Sequence, residues 1–383
     1  MSYSRILVTG GAGFIGSHVV DRLVRKGFQV NVLDNLEPSV HAKVPDYLNP
    51  EAEFIKGDVR NPENLRRAIA GVDAIIHEAA LVGVNQSQAM VEKYTSVNDL
   101  GTATLWQVIK DERLPIKKVV VASSCAVYGE GAYVCEEHGE VYPEERDMSQ
   151  LLDRDWDVKC PLCGRKVQPT KTKESKPCNV SSVYALNKLF QERASLIMGR
   201  SLGISTVALR YFNVFGERQA LDNPYSGVFS TFVSCLINGK PPIIFEDGLQ
   251  TRSFIYVKDV AEATVLALDR GEGYAVYNVG VDEPVAIRDV AKKLIEILDS
   301  DLEPKLPGLF RVGDVRHSIP DVTRIRKELE FVPKDRLEGV LEDYVEWVLR
   351  QPRPRGNFEE MLCDFKDKGC LLYTSPSPRD RQK

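Results

Sequence analysis

The chain has 383 residues, 43% hydrophobic and 27% charged, with a formal charge of −5. That balance excludes wholesale disorder and a generic polyanion binder, and no apolar run approaches the ~20 residues of a membrane span. Eight cysteines in so long a chain are too dilute for a disulfide scaffold, so free or metal-bound thiols in a cytoplasmic setting are expected. No apolar leader core stands before Ile6, so no secretion is expected.

In chain order, residues 5–9 read as a short buried strand, 10–16 as a glycine-rich turn, and the stretch to Lys26 as a helix. Strands follow at 29–34, 53–56, 74–77 and 119–123, with helices at 61–70 and 87–111. This alternation predicts an α/β fold with a doubly wound parallel sheet. Residues 131–180 break the rhythm with charge, proline and cysteine, and read as an inserted lobe. Strands at 209–215, 242–245 and 252–257 and helices at 228–238, 259–268, 287–298 and 337–349 predict a smaller α/β substrate domain over 210–350. The dinucleotide domain then comprises 1–130 and 181–209, and 351–369 is a tail. Residues 370–383 resemble an in-frame translation of a sequencing adapter and are expected to lie outside the fold.

Gly10-Gly11-Ala12-Gly13-Phe14-Ile15-Gly16 follows the first strand and opens a helix. The glycines allow a tight turn, close backbone approach to a pyrophosphate and close helix–strand packing; free N–H groups at the helix start face the phosphates. Asp34 ends the second strand, where a carboxylate accepts ribose hydroxyls and repels a 2′-phosphate. Asn35 and Leu36 follow it, with no arginine, so NAD is expected rather than NADP. Asp58, in Gly57-Asp58-Val59, is placed to reach the adenine. The bland alternative is a turn that only packs, with Asp34 capping a loop.

Tyr184-Ala185-Leu186-Asn187-Lys188 puts Lys188 one helical turn after Tyr184, on the same face. A free tyrosine is a poor base at neutral pH, and a neighbouring ammonium favours its phenolate. Ser124 ends a strand, where it can share a substrate proton with Tyr184.

These motifs, with His77-Glu78-Ala79-Ala80, Asn98, Val127-Tyr128-Gly129 and residues 209–216, resemble the extended short-chain dehydrogenase/reductases that act on nucleotide sugars. The resemblance covers roughly 4–350 apart from the lobe. It implies a Rossmann-type sheet and NAD held by Gly10, Gly13, Phe14, Ile15, Gly16, Asp34, Asn35, Asp58, Val59, Ala79, Ala80, Asn98, Tyr184 and Lys188. It also implies a nucleotide-diphospho-sugar contacted by Ser124, Tyr211, Asn213, Arg252 and Arg311, with Val82, Gly83 and Gln86 as further sugar-side candidates. Two fixed guanidinium groups suit a diphosphate in an acidic protein. A homodimer through 87–111 and 184–203 is the family expectation, with no nucleic-acid or membrane partner.

The family's 4,6-dehydratases carry Asp-Glu after the Ser/Thr, whereas Cys125-Ala126 stands here. Neither residue supplies a carboxylate, so dehydration is disfavoured and NAD-dependent 4-epimerisation is expected. UDP-glucose or UDP-glucuronate 4-epimerisation, UDP-glucuronate decarboxylation, a simple reductase and a non-catalytic NAD sensor are the rivals.

In the lobe, Cys135-Glu136-Glu137-His138-Gly139 and Cys160-Pro161-Leu162-Cys163-Gly164 each offer two ligands before a glycine. Together they form a zinc-knuckle-like Cys3His set that suits structural zinc, with Cys178 as a substitute for His138. Metal-free packing and a redox pair are the alternatives. Arg165-Lys166 and 171–176 read as solvated loop rather than a nucleic-acid surface. The insert, with residues 311–317, resembles the dTDP-L-rhamnose 4-epimerase subgroup.

Overall fold

The computed structural model describes residues 3–41, 43–221, 227–354, 362–363 and 371–374. Its main sheet has seven strands: β1 (Arg5–Thr9), β2 (Gln29–Asp34), β3 (Glu53–Lys56), β4 (Ala74–His77), β5 (Lys118–Ser124), β6 (Ser205–Tyr211) and β7 (Tyr274–Val279). All pair in parallel, in the order β7-β6-β5-β4-β1-β2-β3. The order reverses between β1 and β4, which opens a crevice at the carboxyl ends of the strands. The Val- and Ile-rich runs of β1, β4 and β5 are buried on both faces, as central parallel strands must be. One face packs on Val19, Leu23, Val260 and Ala263; the other packs on Leu65, Ile69, Leu105 and Trp106.

Three sequence expectations change. The domain boundary at 209/210 is crossed, because helix Val257–Arg270 and strand β7 return to the main sheet. They cover the β6 edge and the face of helix Phe14–Arg25 that would otherwise stay wet. Residues 242–245 do not form a strand; only an isolated bridge joins Ile243 to Lys305, since Pro241 and Pro242 lack backbone donors. The helix expected over 87–111 is broken into Val84–Ala89, Val91–Thr95, the π-turn Ser96–Leu100 and Gly101–Asp111.

The rest of the second half holds a separate core of Phe229, Phe232, Val290, Leu294, Leu341 and Tyr344. The lobe is a small antiparallel sheet, Ala132–Cys135 between Gly139–Val141 and Gln168–Thr170. Its core is Tyr133, Val141, Val158 and Val167 with Cys135 and Cys160. The tail departs from expectation: Leu371–Tyr373 pairs antiparallel with Leu309–Arg311. Leu371 joins Leu362, Leu309 and Phe245 in an apolar cluster, and burying that side chain favours docking. Residues 355–361, 364–370 and 375–383 of the expected tail and adapter segment lie outside the described residues. Among the described residues no disulfide forms, and no helix is long and apolar enough to cross a membrane.

Candidate active site

The glycine turn sits at the sheet crevice. Gly10 has φ of +70°, and a Cβ there would meet the Ala79 nitrogen at 2.7 Å. A Cβ on Gly16 would lie 2.2 Å from the Gly10 carbonyl oxygen, so helix and turn approach as closely as glycine allows. Helix Phe14–Arg25 starts at Gly13 with no side-chain cap, which leaves Phe14, Ile15 and Gly16 as bare N–H donors. Asp34 is buried at the end of β2 and accepts from the Ala12 nitrogen at 3.0 Å and the Leu36 nitrogen at 2.8 Å. Asp58 is held by Arg60 and Asn35, and hydrogen bonds from Arg60 bring it down to about 2. Val59 packs against Gly101. Asn98 is buried and clamps Leu81 through both its nitrogen and its carbonyl, so it shapes the loop carrying Ala79 and Ala80. The Ala79 nitrogen in turn donates to Thr9.

Ser124 ends β5, and Tyr184 lies in the first turn of helix Val183–Leu202, which Ser182 caps through the Ala185 nitrogen. The Tyr184 hydroxyl lies near Ser124, whose oxygen accepts from the Ala126 nitrogen at 3.2 Å. Lys188 instead donates to Gln191 Oε1 at 2.7 Å. Gln191 is anchored by its Nε2 on Thr102 and the Ala79 carbonyl. Burial lowers Lys188 to about 8, against a pull upward from Glu78 and Glu192. The expected lowering of Tyr184 is not what the protein alone produces: burial pushes its hydroxyl above the usual phenol range. Sequence reasoning singles out neither Gln191 nor a separate role for Glu78, although Gln191 lies three residues after Lys188 on one helical face.

A cleft of about 410 Å³ opens beside this centre, lined by Cys125, Ala126, Asn213, Arg252, Arg311 and Asp314 among others. Asn213 donates to the Ser253 carbonyl. Arg252 reaches Asp314 at 2.9 Å, and Arg311 lies over the Phe245 ring at 4.6 Å. Of the described lining residues, Asp314 is the only acid. The Tyr211 hydroxyl meets Glu78 at 2.7 Å and Thr264 at 2.8 Å, and the cleft lining includes none of Tyr211, Ser124 and Tyr184 themselves. The buried hydroxyl gains two partners there that the cleft wall would not give. Gly83 lines the cleft, Val82 is exposed, and Gln86 binds the Tyr94 hydroxyl.

In the lobe, the donor atoms of Cys135, His138, Cys160 and Cys163 all lie within 4.8 Å of one another. The Cys135 and Cys163 sulfurs are 3.8 Å apart, and His138 Nδ1 is 3.5 Å from Cys135 and 3.7 Å from Cys160. Cys178 does not join them; its sulfur accepts from Arg210.

Residues 6–148 and 161–280 match the NAD dependent epimerase/dehydratase family. The chain is 32% identical over 352 residues to a dTDP-L-rhamnose 4-epimerase of Burkholderia thailandensis, covering 91% of this chain and 95% of that protein. It is 28% identical over 351 residues to a UDP-N-acetyl-alpha-D-glucosaminuronate decarboxylase of Bacillus cytotoxicus, covering 90% and 97%. The crystal structure of Thermus thermophilus UDP-glucose 4-epimerase in complex with NAD aligns with a TM-score of 0.72 and 29% identity, over 90% of this chain and 98% of that one. With the glycine turn, the Ser124–Tyr184 pair and Lys188 in place, the chain belongs to the NAD dependent epimerase/dehydratase family and is an enzyme of that type.

Proposed function

We propose that the chain is an NAD-dependent nucleotide-diphospho-sugar 4-epimerase, with the dTDP-L-rhamnose/6-deoxy-talose pair as the favoured sugars. The observation that carries this reading is the acid-poor cleft. Cys125 and Ala126 line it where a dehydratase needs a carboxylate pair, and Asp314, its one acid among the described residues, is ion-paired to Arg252. Tyr184 takes the proton from the C4 hydroxyl and gives it back, and Ser124 holds the oxygen between them. Lys188 keeps positive charge one turn away. Bound NAD would accept the C4 hydride, return it to the opposite face, and set a positive ring beside Tyr184. The cradle at Gly10 and Gly16, which a Cβ would fill, fits its pyrophosphate, and Asp34 fits its ribose hydroxyls.

Arg252, Arg311 and Asn213 would hold the sugar diphosphate. The decarboxylase relative keeps uronate decarboxylation as the second reading. Ser124 at the end of β5, beside a helix that carries both Tyr184 and Lys188, argues against a non-catalytic sensor.

The lobe cluster fits zinc. A tetrahedral site with zinc–sulfur bonds near ~2.3 Å needs sulfurs about 3.8 Å apart, and Cys135 and Cys163 are 3.8 Å apart. Such thiols suit a reducing, cytoplasmic setting. Exposed Leu100, Leu186, Phe190 and Ile197 support a homodimer through 87–111 and 184–203.

The test is incubation with UDP-, dTDP- and GDP-sugars, with C4 inversion scored by NMR. Inversion of a dTDP-6-deoxyhexose is expected; carbon dioxide release from a uronate without inversion would replace this reading with the second.

A further inference from the structure

The inserted lobe is tied to the cleft wall through buried charge. Arg146 of the lobe is 2% exposed and reaches Glu246, itself 3% exposed, at 2.8 and 3.0 Å. It also donates to the Asp314 carbonyl at 2.8 Å. The Asp314 side chain is the one that holds Arg252. Glu246 is shared with Arg316 at 2.8 Å, and Arg316 continues to Asp247.

A second tie starts on the strand that carries a cluster cysteine. Tyr133, two residues before Cys135, donates to Glu130 at 2.6 Å. Glu130 in turn accepts from the backbone nitrogens of Arg316 and His317, at 2.9–3.2 Å. Thr172, past the last lobe strand, bonds the Ile319 carbonyl and the Asp321 nitrogen. The segment 311–318, which carries Arg311, Asp314 and Ser318 into the cleft, is therefore tied at residues 314, 316 and 317 by Arg146 and by the Tyr133-held Glu130. A buried, desolvated network of this kind keeps its geometry only while every partner stays in place.

We propose that the lobe is a metal-set brace for the substrate's diphosphate. A zinc-class cation on Cys135, His138, Cys160 and Cys163 fixes the hairpin. Tyr133, Glu130 and Arg146 then hold segment 311–318 so that Arg252 and Arg311 face a nucleoside diphosphate. Metal occupancy sets affinity for the nucleotide sugar and leaves the dinucleotide turn and Tyr184 untouched. Arg146 is a positioning residue: it does not line the cleft. The proposal rests on the nucleotide-sugar reading above.

The test is calorimetric titration of the full chain with UDP, dTDP and, separately, NAD. Zinc-loaded protein is compared with chelator-treated protein, Arg146→Ala, Arg146→Lys and Glu130→Gln, with metal content measured on each. Chelation and Arg146→Ala are expected to weaken the better-bound nucleoside diphosphate by about tenfold while NAD affinity holds. Arg146→Ala keeps its metal, raises KM, and leaves kcat within about twofold; Arg146→Lys recovers part of the loss. Unchanged nucleoside-diphosphate affinity in both the chelated and the Arg146→Ala protein would overturn the brace. So would a parallel loss of NAD affinity, which marks general unfolding. Failure of the zinc-loaded wild type to bind either UDP or dTDP would overturn the nucleotide-sugar reading instead.

Discussion

The proposed catalytic centre and the arginine wall of the neighbouring cleft are built differently. Ser124 ends a seven-residue central strand, and Tyr184 and Lys188 stand on a twenty-residue helix packed against that strand. Arg252 and Arg311 stand on strands of two and three residues. Those strands pair with Val285–Ala286, His317–Ser318 and Leu371–Tyr373; around them Arg252 pairs with Asp314, and Arg316 and the lobe's Arg146 share Glu246. Long regular elements carry the proposed reacting groups, whereas the arginine wall rests on short strand pairs and on side-chain ion pairs from distant segments. Chemistry placed on the first kind of support survives changes in the second, so turnover and substrate recognition should fail separately.

The largest break should come at the catalytic centre. Tyr184→Phe removes the hydroxyl proposed to carry the proton and is expected to lower kcat by about 1000-fold. Affinities for NAD, UDP and dTDP, read by titration, should stay near wild type; near-normal turnover would remove Tyr184 from its role. Next, Gly16→Ala places a Cβ 2.2 Å from the Gly10 carbonyl oxygen. It is expected to cost about 2 kcal/mol of stability by overpacking and to weaken NAD far more than UDP or dTDP. An equal loss for both ligands would mean that the two regions are not independent.

The smallest effect is in the pH dependence of stability. Burial lowers His18 to about 4, His77 to about 3 and His317 to about 4, each from a usual value of 6.5. Each of these rings therefore binds more protons in the unfolded chain below pH 6.5 and lowers stability as pH drops from 6.5 toward 4, while Glu78, Asp99, Glu174 and Asp259, raised by burial, act the other way. His77→Gln, at the end of β4, and His317→Gln, on the wall, should each flatten that slope in thermal unfolding. Asp58, held near 2 by Arg60, adds its own loss only below about pH 4. An unchanged slope in both histidine variants would contradict the burial of these rings.

Much of the first region was legible in the sequence because its rules are local. Glycines at 10, 13 and 16, an acid at 34 and the four-residue step from Tyr184 to Lys188 follow from backbone geometry and helical spacing. The second region depends on pairings that spacing does not reveal. Nothing near Arg146 signals that it meets Glu246 a hundred residues on. Tyr211 reads as a cleft residue until Glu78 and Thr264 take its hydroxyl. Strand β7 lies past an apparent domain boundary and pairs with β6 some seventy residues earlier, so its return to the sheet is a long-range event. The lobe ligands were legible as two local pairs; their convergence needed the fold.

In the proposed reaction, C4 is oxidised and re-reduced within one turnover at Tyr184 and the dinucleotide site. The direct measurement uses dTDP-L-rhamnose carrying deuterium at C4, followed by NMR and mass analysis of both epimers. Retention of the label at C4 in the inverted sugar, with no NADH released, is the result this account predicts. Label lost to solvent, or inversion accompanied by stoichiometric free NADH, would contradict it.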